Sequence, residues 1–343
     1  MNQEILKEDI QCFVDQFDLG EQLRGKTFLI TGATGLIGSV MVKCLLGLNR
    51  LKGLDIKIKV VVRSIDKAKD IFAEVFSNID LYSIELSNIR YEIIGNVDYI
   101  VHLASPTASK FFVEHPVETL TTAICGTKAV LEYVKEAKVK SMVYASSLEV
   151  YGRNLTEELI NEDFQGYVNP TEVRSSYNIG KRACECLCHA YAKEYDVNVM
   201  MARLTQTFGA GISEMENRVF AQFARSAIKN ENIVLHTYGD SAKPYCYTTD
   251  AVSAMLYLLI KGEKGEAYNI ANKDSYISIR DMAYLVRNEF NPSIDVVIAP
   301  KEGQGYAPET KLRLDTRKIE SMGWRPRYGL KEMFAKLIDS IKE

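Results

Sequence analysis

Several features are missing from this sequence of 343 residues, and each absence excludes a class of protein. No stretch approaches the ~18 consecutive apolar residues of a membrane-spanning helix, so no membrane partner is expected. The first residues, MNQEILKEDIQCF, lack the basic and then apolar pattern of an export signal, which favours a cytoplasmic location. Internal repeats and low-complexity tracts are also absent, so the chain reads as one large α/β unit or two closely joined lobes.

An excess of charge of one sign is missing too. The 42 basic residues are scattered and balanced by 45 acidic ones, which gives a formal net charge of −3. No basic stripe for a phosphate backbone can be traced, so no nucleic-acid partner is expected. Hydrophobic residues make up 47% of the chain, which is enough for a sizeable core.

Cysteines are few and odd in number. With no export signal, the seven cysteines are expected to be reduced thiols. The run CECLC, followed by His189, resembles a metal-binding tract, but on a helix Cys186 would face away from Cys184 and Cys188. We therefore expect packing thiols and no metal site.

Predicted strands alternate with predicted helices along most of the chain. This alternation predicts an α/β fold with a doubly wound parallel sheet and helices on both faces. The predicted division is an N-terminal helical extension (1–24), a first domain (25–205, with 248–275 returning to it), and a smaller interleaved C-terminal lobe (206–247 and 276–343).

A glycine-rich turn follows the first predicted strand and opens a helix. The segment TGATGLIG places Gly32, Gly35 and Gly38 in a G-x-x-G-x-x-G pattern. Glycines there tighten the turn, let the backbone approach a pyrophosphate and bring helix and strand together. The helix N-terminus adds free N–H groups and a partial positive charge. A Rossmann-type dinucleotide site is therefore predicted in the first domain.

The choice between NAD and NADP stays open. NAD sites usually present an acidic residue at the end of the second strand, whereas an arginine accommodates a 2′-phosphate. Here VVVRS places Arg63 at that point, which favours NADP, although Arg63 could equally stack on the adenine.

Tyr177 and Lys181 lie four residues apart on a predicted helix and therefore share one face. A neighbouring ammonium is expected to lower the pKa of a phenol from its usual ~10 towards neutrality. Such a base could take the proton of a carbinol as hydride leaves for a nicotinamide. Ser146 and Ser147, at the end of the strand YASS, could hold the reacting oxygen.

Six segments of the chain, taken in order, resemble the extended short-chain dehydrogenase/reductases that modify nucleotide-diphosphate sugars. They are TGATGLIG, VDYIVHLAS, YASSLEVYG, SSYNIGKRACE, ARLTQTFG and LDTRKIESMGWRP. The likeness covers about residues 25–335 and is greatest to UDP-glucuronate decarboxylases and dTDP-glucose 4,6-dehydratases. It implies a tightly bound nicotinamide cofactor that oxidises the sugar at C4, with a sugar nucleotide held between the lobes, of which the C-terminal one is the nucleotide-sugar-binding lobe.

The resemblance also implies residue roles. Tyr177 would be the base, Lys181 its electrostatic partner and ribose ligand, Ser147 the hydroxyl donor, and Glu149 the carboxylate acting next to the C4 ketone. The implied cofactor contacts are Gly32, Thr34, Gly35, Leu36, Ile37, Gly38, Arg63, Leu103, Ala104, Ser105, Tyr177 and Lys181. The implied substrate contacts are Thr107, Gln206, Arg218 and Lys243.

Three departures from the family pattern narrow the chemistry. Leu148 stands where dehydratases have an acid, and a leucine cannot protonate a leaving hydroxyl. Lys243 stands where decarboxylases have a carboxylate-binding arginine, and a lysine lacks the bidentate fork. Ala123 replaces a helix asparagine of the family.

Epimerisation at C4 requires the fewest functional groups from this residue set, and it is the favoured interpretation. Decarboxylation of a UDP-glucuronate-like substrate and 4,6-dehydration are the alternatives within the family. An NADP-dependent carbonyl reductase and a non-catalytic NAD(P)-sensing protein are alternatives of other classes. The resemblance further implies a homodimer formed through helices at about 117–136 and 176–194.

Overall fold

The computed structural model describes residues 3–301 and 309–342. Its strands are β1 (Thr27–Thr31), β2 (Lys57–Val62), β3 (Asp80–Ser83), β4 (Tyr99–His102), β5 (Ser141–Ser147), β6 (Leu159–Ile160), β7 (Val199–Leu204), β8 (Gln206–Phe208), β9 (Ile233–Leu235), β10 (Ala242–Tyr247), β11 (Ala267–Ile270), β12 (Asn272–Ser278), β13 (Val296–Ile298) and β14 (Arg313–Leu314).

The helices are α1 (Gln3–Gln16), α2 (Leu36–Lys52), α3 (Ile65–Phe72), α4 (Tyr91–Ile94), α5 (Ser109–Glu114), α6 (Pro116–Ala137), α7 (Ser175–Glu194), α8 (Val219–Lys229), α9 (Thr248–Lys261), α10 (Ile279–Phe290), α11 (Arg317–Glu320) and α12 (Leu330–Ile341). Short 3₁₀ turns connect several of them. One of these turns, Leu148–Tyr151, directly follows β5.

A seven-stranded parallel sheet forms the centre of the molecule, in the order β11-β7-β5-β4-β1-β2-β3. The chain winds outwards from β1 in one direction through β2 and β3, and in the other through β4 and β5. The predicted doubly wound fold is thus confirmed. Its switch point lies between β1 and β4, where open α/β sheets form a ligand crevice.

Helices cover both faces of this sheet because its strands are apolar on both sides. One core cluster joins α2 and α9 to the sheet, and a second joins α6 and α7 to the opposite face. Cys184 and Cys188 are buried in the second cluster, while Cys186 is exposed, as the helical spacing predicted.

Smaller sheets lie in the C-terminal half of the molecule. Strands β12, β10 and β8 form a three-stranded sheet, and the pairs β13–β9 and β14–β6 stand apart from it. Helices α8, α10 and α12 pack around Phe208, Phe220 and Phe334 in a third core cluster. Because β8 continues directly from the central strand β7, this region is held beside the carboxyl end of the main sheet.

The N-terminal helix α1 packs across α2, α9 and α12. Ile10 and Val14 fit against Gly47 of α2, where an added Cβ would lie 2.7 Å from Ile10 Cγ2. The buried carboxylate of Asp9 accepts a hydrogen bond from Tyr247 of β10 and pairs with Lys336 of α12. Helix α1 therefore ties the central sheet to the smaller one. None of the helices in the described part of the chain is long and apolar enough to cross a bilayer.

Candidate active site

The glycine-rich turn between β1 and α2 is as tight as the sequence predicted. Gly32 has φ +69°, and a Cβ added to it would lie 2.7 Å from the backbone N of Ala104. A Cβ on Gly38 would lie 2.3 Å from the carbonyl oxygen of Gly32, whereas one on Gly35 would meet nothing closer than 3.4 Å. Gly32 and Gly38 therefore close the turn on itself and on the neighbouring loop, and Gly35 faces open space.

The first turn of α2 is free to receive an anion. Gly35 occupies the N-cap and offers no side-chain cap, so the N–H groups of the first turn, from Leu36, Ile37 and Gly38, are not capped by it. Thr34 precedes the cap in the same turn. A glycine-rich cradle beside a helix N-terminus fits a dinucleotide pyrophosphate.

The loop after β4 borders this cradle. Leu103 N donates to the carbonyl of Thr31 at 3.2 Å, and Ala104 N donates to Thr31 Oγ1 at 3.3 Å. Ser105 and the exposed Thr107 follow in the same loop. The structure thus brings the two predicted cofactor segments together at the switch point of the sheet.

Arg63 lies directly after β2 with an exposed side chain. Its neighbour Ser64 caps α3 by accepting a hydrogen bond from Lys67 N at 3.2 Å. No carboxylate occupies the end of β2 itself, since Val62, Arg63 and Ser64 follow one another there. The position usual for a ribose-binding acid therefore carries an arginine, as the sequence indicated.

Tyr177 lies at the start of α7, and its ring is held on two sides. Phe112 of α5 stacks on it, with ring centroids 4.2 Å apart and planes inclined by 10°. Ser147, the last residue of β5, lies close enough to the phenol to lower its pKa. Ser147 rather than Ser146 contacts the phenol, and its Oγ also accepts a hydrogen bond from Glu149 N at 3.2 Å.

Lys181 lies one helical turn after Tyr177 and is buried. Its Nζ donates to the carbonyl of Ala145 at 2.7 Å and lies 5.8 Å from the Tyr177 ring centroid. Burial lowers the pKa of Lys181 to about 8, so the ammonium form still predominates at neutral pH. The pair predicted from the spacing shares one site, with the ammonium anchored to the strand behind the tyrosine.

The pKa of Tyr177 differs from the sequence-based expectation. It is raised above its usual value, mainly because burial disfavours the phenolate and also because the Glu149 carboxylate lies nearby. The Ser147 hydroxyl and the charges of Arg218 and Arg174 act in the opposite direction. The expectation counted the Lys181 ammonium alone and omitted both desolvation and the opposing carboxylate.

Glu149 lies in the 3₁₀ turn after β5 and is paired with a residue that the sequence reading missed. Arg174 Nη1 lies 3.1 Å from Glu149 Oε2, and Arg174 Nη2 lies 3.4 Å from Oε1. Arg174 immediately precedes α7, three residues before Tyr177. The only signal in the sequence was the four-residue spacing of polar side chains in RSSYNIGKR, which predicts a second stripe beside Tyr177 and Lys181.

Of the predicted substrate contacts from the second lobe, Arg218 lies near Tyr177, and Lys243 lies near Glu149 and Arg174. Gln206 begins β8 and pairs with Tyr245 of β10, two residues after Lys243. Arg218 caps α8 and forms an ion pair with Glu216 at 2.6 Å. Lys243 pairs with Ile277 of β12 in the three-stranded sheet, and its side chain has no hydrogen-bond or ion-pair partner among the described residues. Burial lowers the pKa of Lys243; the Glu149 carboxylate opposes this shift, and Arg174 and Arg218 add to it.

Comparison with known proteins identifies the family that uses this arrangement. The model of the NAD dependent epimerase/dehydratase family matches residues 28–271, from β1 to the residue after β11. The chain belongs to this family.

Individual members of the NAD dependent epimerase/dehydratase family show how far the likeness extends. UDP-glucuronic acid decarboxylase 5 of Arabidopsis thaliana is 28% identical over 313 residues, which is 89% of this chain and 86% of that protein. The structure of UDP-N-acetylglucosamine 4-epimerase of Methanobrevibacter ruminantium superposes with a TM-score of 0.80 at 18% identity, covering 92% of this chain and 98% of that one. The structure of dTDP-glucose 4,6-dehydratase of Streptomyces venezuelae gives 0.75 at 20%, covering 92% and 96%.

The departures from the epimerase/dehydratase pattern have clear places in the structure. Leu148 is buried in a small apolar cluster with Tyr151 and Ile160, so this position contributes packing and no acid. Ala123 of α6 is buried against α7, where its carbonyl accepts a hydrogen bond from the Cys184 thiol. In place of a polar helix residue, the chain therefore has a thiol contact between the two helices.

Proposed function

We propose that this enzyme is a nucleotide-diphosphate-sugar epimerase that works through transient oxidation of the sugar at C4. The observation that supports it most is the position of Tyr177. The phenol is held between Phe112 and Ser147, one turn from an anchored ammonium, at the carboxyl end of the sheet beside the glycine cradle. A base so placed meets both a bound dinucleotide and a sugar in the crevice.

The chain's own residues manage the proton and the reacting oxygen. Tyr177 Oη takes the proton of the C4 hydroxyl, and Ser147 Oγ holds that oxygen during the transfer. Gly32, Gly35 and Gly38 would hold the dinucleotide, which would supply the acceptor and the donor of the C4 hydride. If the ketone turns over before the hydride returns, the hydroxyl is rebuilt with the opposite configuration and Tyr177 gives the proton back. This cycle needs neither an acid in place of Leu148 nor a carboxylate-binding arginine in place of Lys243.

The second lobe supplies residues for the nucleotide and the sugar. Arg218 is suited to the diphosphate, because a bidentate guanidinium matches phosphate oxygens once it leaves Glu216. Gln206 and Thr107 present polar side chains towards the sugar, and Lys243 presents an ammonium that has no partner in the described part of the chain.

Decarboxylation of a uronate is the second candidate, and Lys243 is the observation that favours it. A partly buried ammonium without a counter-ion is costly, and a substrate carboxylate would neutralise it. The relatives named UDP-glucuronic acid decarboxylase point to the same class of substrate. Incubation with UDP-, dTDP-, GDP- and CDP-sugars, followed by product identification by mass and NMR, decides between the two: an isomer supports the epimerase, and loss of carbon dioxide overturns it.

Glu149 separates these chemistries further. In the proposed epimerase it is not required for hydride or proton transfer at C4, so Glu149→Gln should retain isomer formation within about tenfold of the wild type, a change of ~1.4 kcal/mol. The rate is measured at a pH above the range in which it still rises with pH, which is the acid limb of the pH profile. Glu132→Gln on the surface of α6 is the matched control.

A different result for Glu149→Gln would contradict plain 4-epimerisation. If the variant still reduces the cofactor but forms no product, a proton must move at the carbon beside the ketone. That outcome would favour decarboxylation or dehydration.

The cofactor choice is a separate proposal. Members of the family are NAD-dependent, and we propose that Arg63 gives this chain a preference for NADP through the 2′-phosphate. Arg63→Ala should then weaken NADP binding about tenfold or more, since hydrogen bonds to charged groups contribute ~1.5–3 kcal/mol, and leave NAD binding unchanged. Fluorescence titration of the cofactor-stripped protein measures both, and equal losses for NAD and NADP would show that Arg63 stacks on the adenine.

An NADP-dependent carbonyl reductase would use the same Tyr177 and Lys181. The two functions differ in cofactor balance, because an epimerase regenerates its cofactor in every cycle while a reductase consumes it stoichiometrically. We further propose a homodimer through α6 and α7, whose outer surfaces expose Val117, Cys125 and Cys186.

A further inference from the structure

The catalytic helix carries a second stripe of side chains that the C4 chemistry leaves unexplained. Arg174, Asn178 and Arg182 follow one another at four-residue intervals, next to the stripe of Tyr177 and Lys181. All three bind the 3₁₀ turn that carries Glu149. Asn178 Nδ2 donates to the Glu149 carbonyl at 2.8 Å, and Arg182 Nε donates to the Val150 carbonyl at 2.7 Å.

Arg174 differs from the other two members because it binds a side chain. Its guanidinium meets both oxygens of the Glu149 carboxylate, at 3.1 and 3.4 Å, in a partly buried pair. Asn178 and Arg182 bind carbonyl groups, which would hold the turn in place without any charge being neutralised. The turn is therefore already fixed, and the ion pair adds an electrostatic effect beyond positioning the backbone.

That effect falls on Tyr177. The charged and titratable groups around the phenol are Glu149 after β5, Tyr144 on β5, Arg174 before α7, Lys181 on α7 and Arg218 before α8, while α5 contributes the Phe112 ring. Lys243 on β10 faces Glu149 and Arg174 in turn. Glu149 is the one carboxylate in this set, and it disfavours the phenolate, whereas Arg174 favours it.

We infer that Arg174 is a positioning residue that neutralises Glu149 beside Tyr177, and thereby allows the phenol to act as the base at C4. The inference rests on the proposed function, because it acts through Tyr177. It also explains how a carboxylate can lie beside a tyrosine base: the guanidinium offsets its charge at the point where the two catalytic segments meet.

The test is the pH dependence of C4 oxidation in single turnovers, followed by the absorbance of the reduced nicotinamide. Arg174→Met leaves Glu149 uncompensated, so the pKa of Tyr177 rises and the acid limb moves to higher pH by about one unit. Arg174→Lys restores a positive charge, and its limb should lie close to that of the wild type. Arg174→Met combined with Glu149→Gln removes both charges and should also bring the limb back.

Arg182→Met is the matched control, because it removes an arginine that grips the same turn without touching the carboxylate. It should lower the thermal unfolding temperature and leave the limb in place. If the acid limb of Arg174→Met does not move, or if that of Arg182→Met shifts equally, this inference is wrong while the proposed function stands. Absence of C4 oxidation by the wild type with every sugar nucleotide tested overturns the proposed function and this inference with it.

Discussion

Replacing Tyr177 by phenylalanine is expected to reduce C4 oxidation of the sugar by about 10³-fold, the usual contribution of a positioned general base. The phenyl ring keeps its stacking on Phe112, since that contact involves only the ring faces. What is lost is the oxygen beside Ser147 that accepts the proton. Cofactor affinity should change little, because Lys181 and the glycine turn remain.

The pH dependence gives this prediction a second readout. Burial and Glu149 raise the pKa of Tyr177, so the phenolate is scarce at neutral pH and the wild-type rate should rise with pH along an acid limb. The residual rate of Tyr177→Phe should lack that limb, because no phenol is left to titrate.

Tyr191→Phe is the matched control for the same helix. Its hydroxyl bonds to Glu132 on α6, away from the crevice, so the oxidation rate should stay close to that of the wild type. A Tyr177→Phe variant with wild-type turnover, or one that retains the acid limb, would show that another group takes the proton and would remove the proposed mechanism.

The parts of the fold that sequence could predict are those encoded by local patterns. Strand β1, the glycine turn and α2 follow one another within residues 27–52, and each has its own composition. Strand β3 (Asp80–Ser83) has no such local pattern, because its sequence DLYS is short, polar at both ends and only partly buried at the sheet edge. An edge strand lacks the continuous apolar run that identifies β4 or β5.

The candidate site also has a part that local patterns predict and a part that they do not. Tyr177 and Lys181 share a helix, so spacing alone placed them on one face. The Arg174–Glu149 pair joins residues 25 positions apart on two segments, and no local pattern encodes it. The direction of the pKa shift of Tyr177 depends on burial and on that carboxylate, which become visible only when α5, α7 and the turn after β5 pack together.

The residues that the proposed reactions would share differ in position from those that would distinguish the reactions. In the proposed mechanism Tyr177, Lys181 and Ser147 serve the oxidation at C4, and they do not by themselves separate epimerisation from decarboxylation or dehydration. The residues that would separate these reactions, Glu149 and Lys243, lie on segments whose charges act on each other. Their roles depend on the charge of the substrate. The product assay and the Glu149→Gln variant are therefore the experiments that decide between these reactions.

Replacing Gly38 by alanine is expected to abolish cofactor binding and to destabilise the protein. The new Cβ would lie 2.3 Å from Gly32 O and 2.8 Å from Ala33 Cα, and both are backbone atoms that cannot rotate away. Relief requires α2 to move from β1, which should cost about 1–3 kcal/mol of unfolding free energy, as overpacking of a tight interior does. The same movement displaces the N–H groups at the start of α2 from the pyrophosphate site. Thermal unfolding and cofactor titration measure the two effects.

Gly35→Ala provides the matched control within the same turn. Its Cβ would lie 3.4 Å from Gly32 O, an ordinary contact, and Gly35 has φ −84°, which any residue adopts. We therefore expect the unfolding temperature of Gly35→Ala to match that of the wild type, while cofactor affinity falls because the methyl group enters the open space facing the cradle. Equal stability of Gly38→Ala and Gly35→Ala would show that the turn yields to a side chain. Full cofactor affinity in both variants would show that the dinucleotide does not lie against these glycines, and the assignment of the crevice would then be wrong.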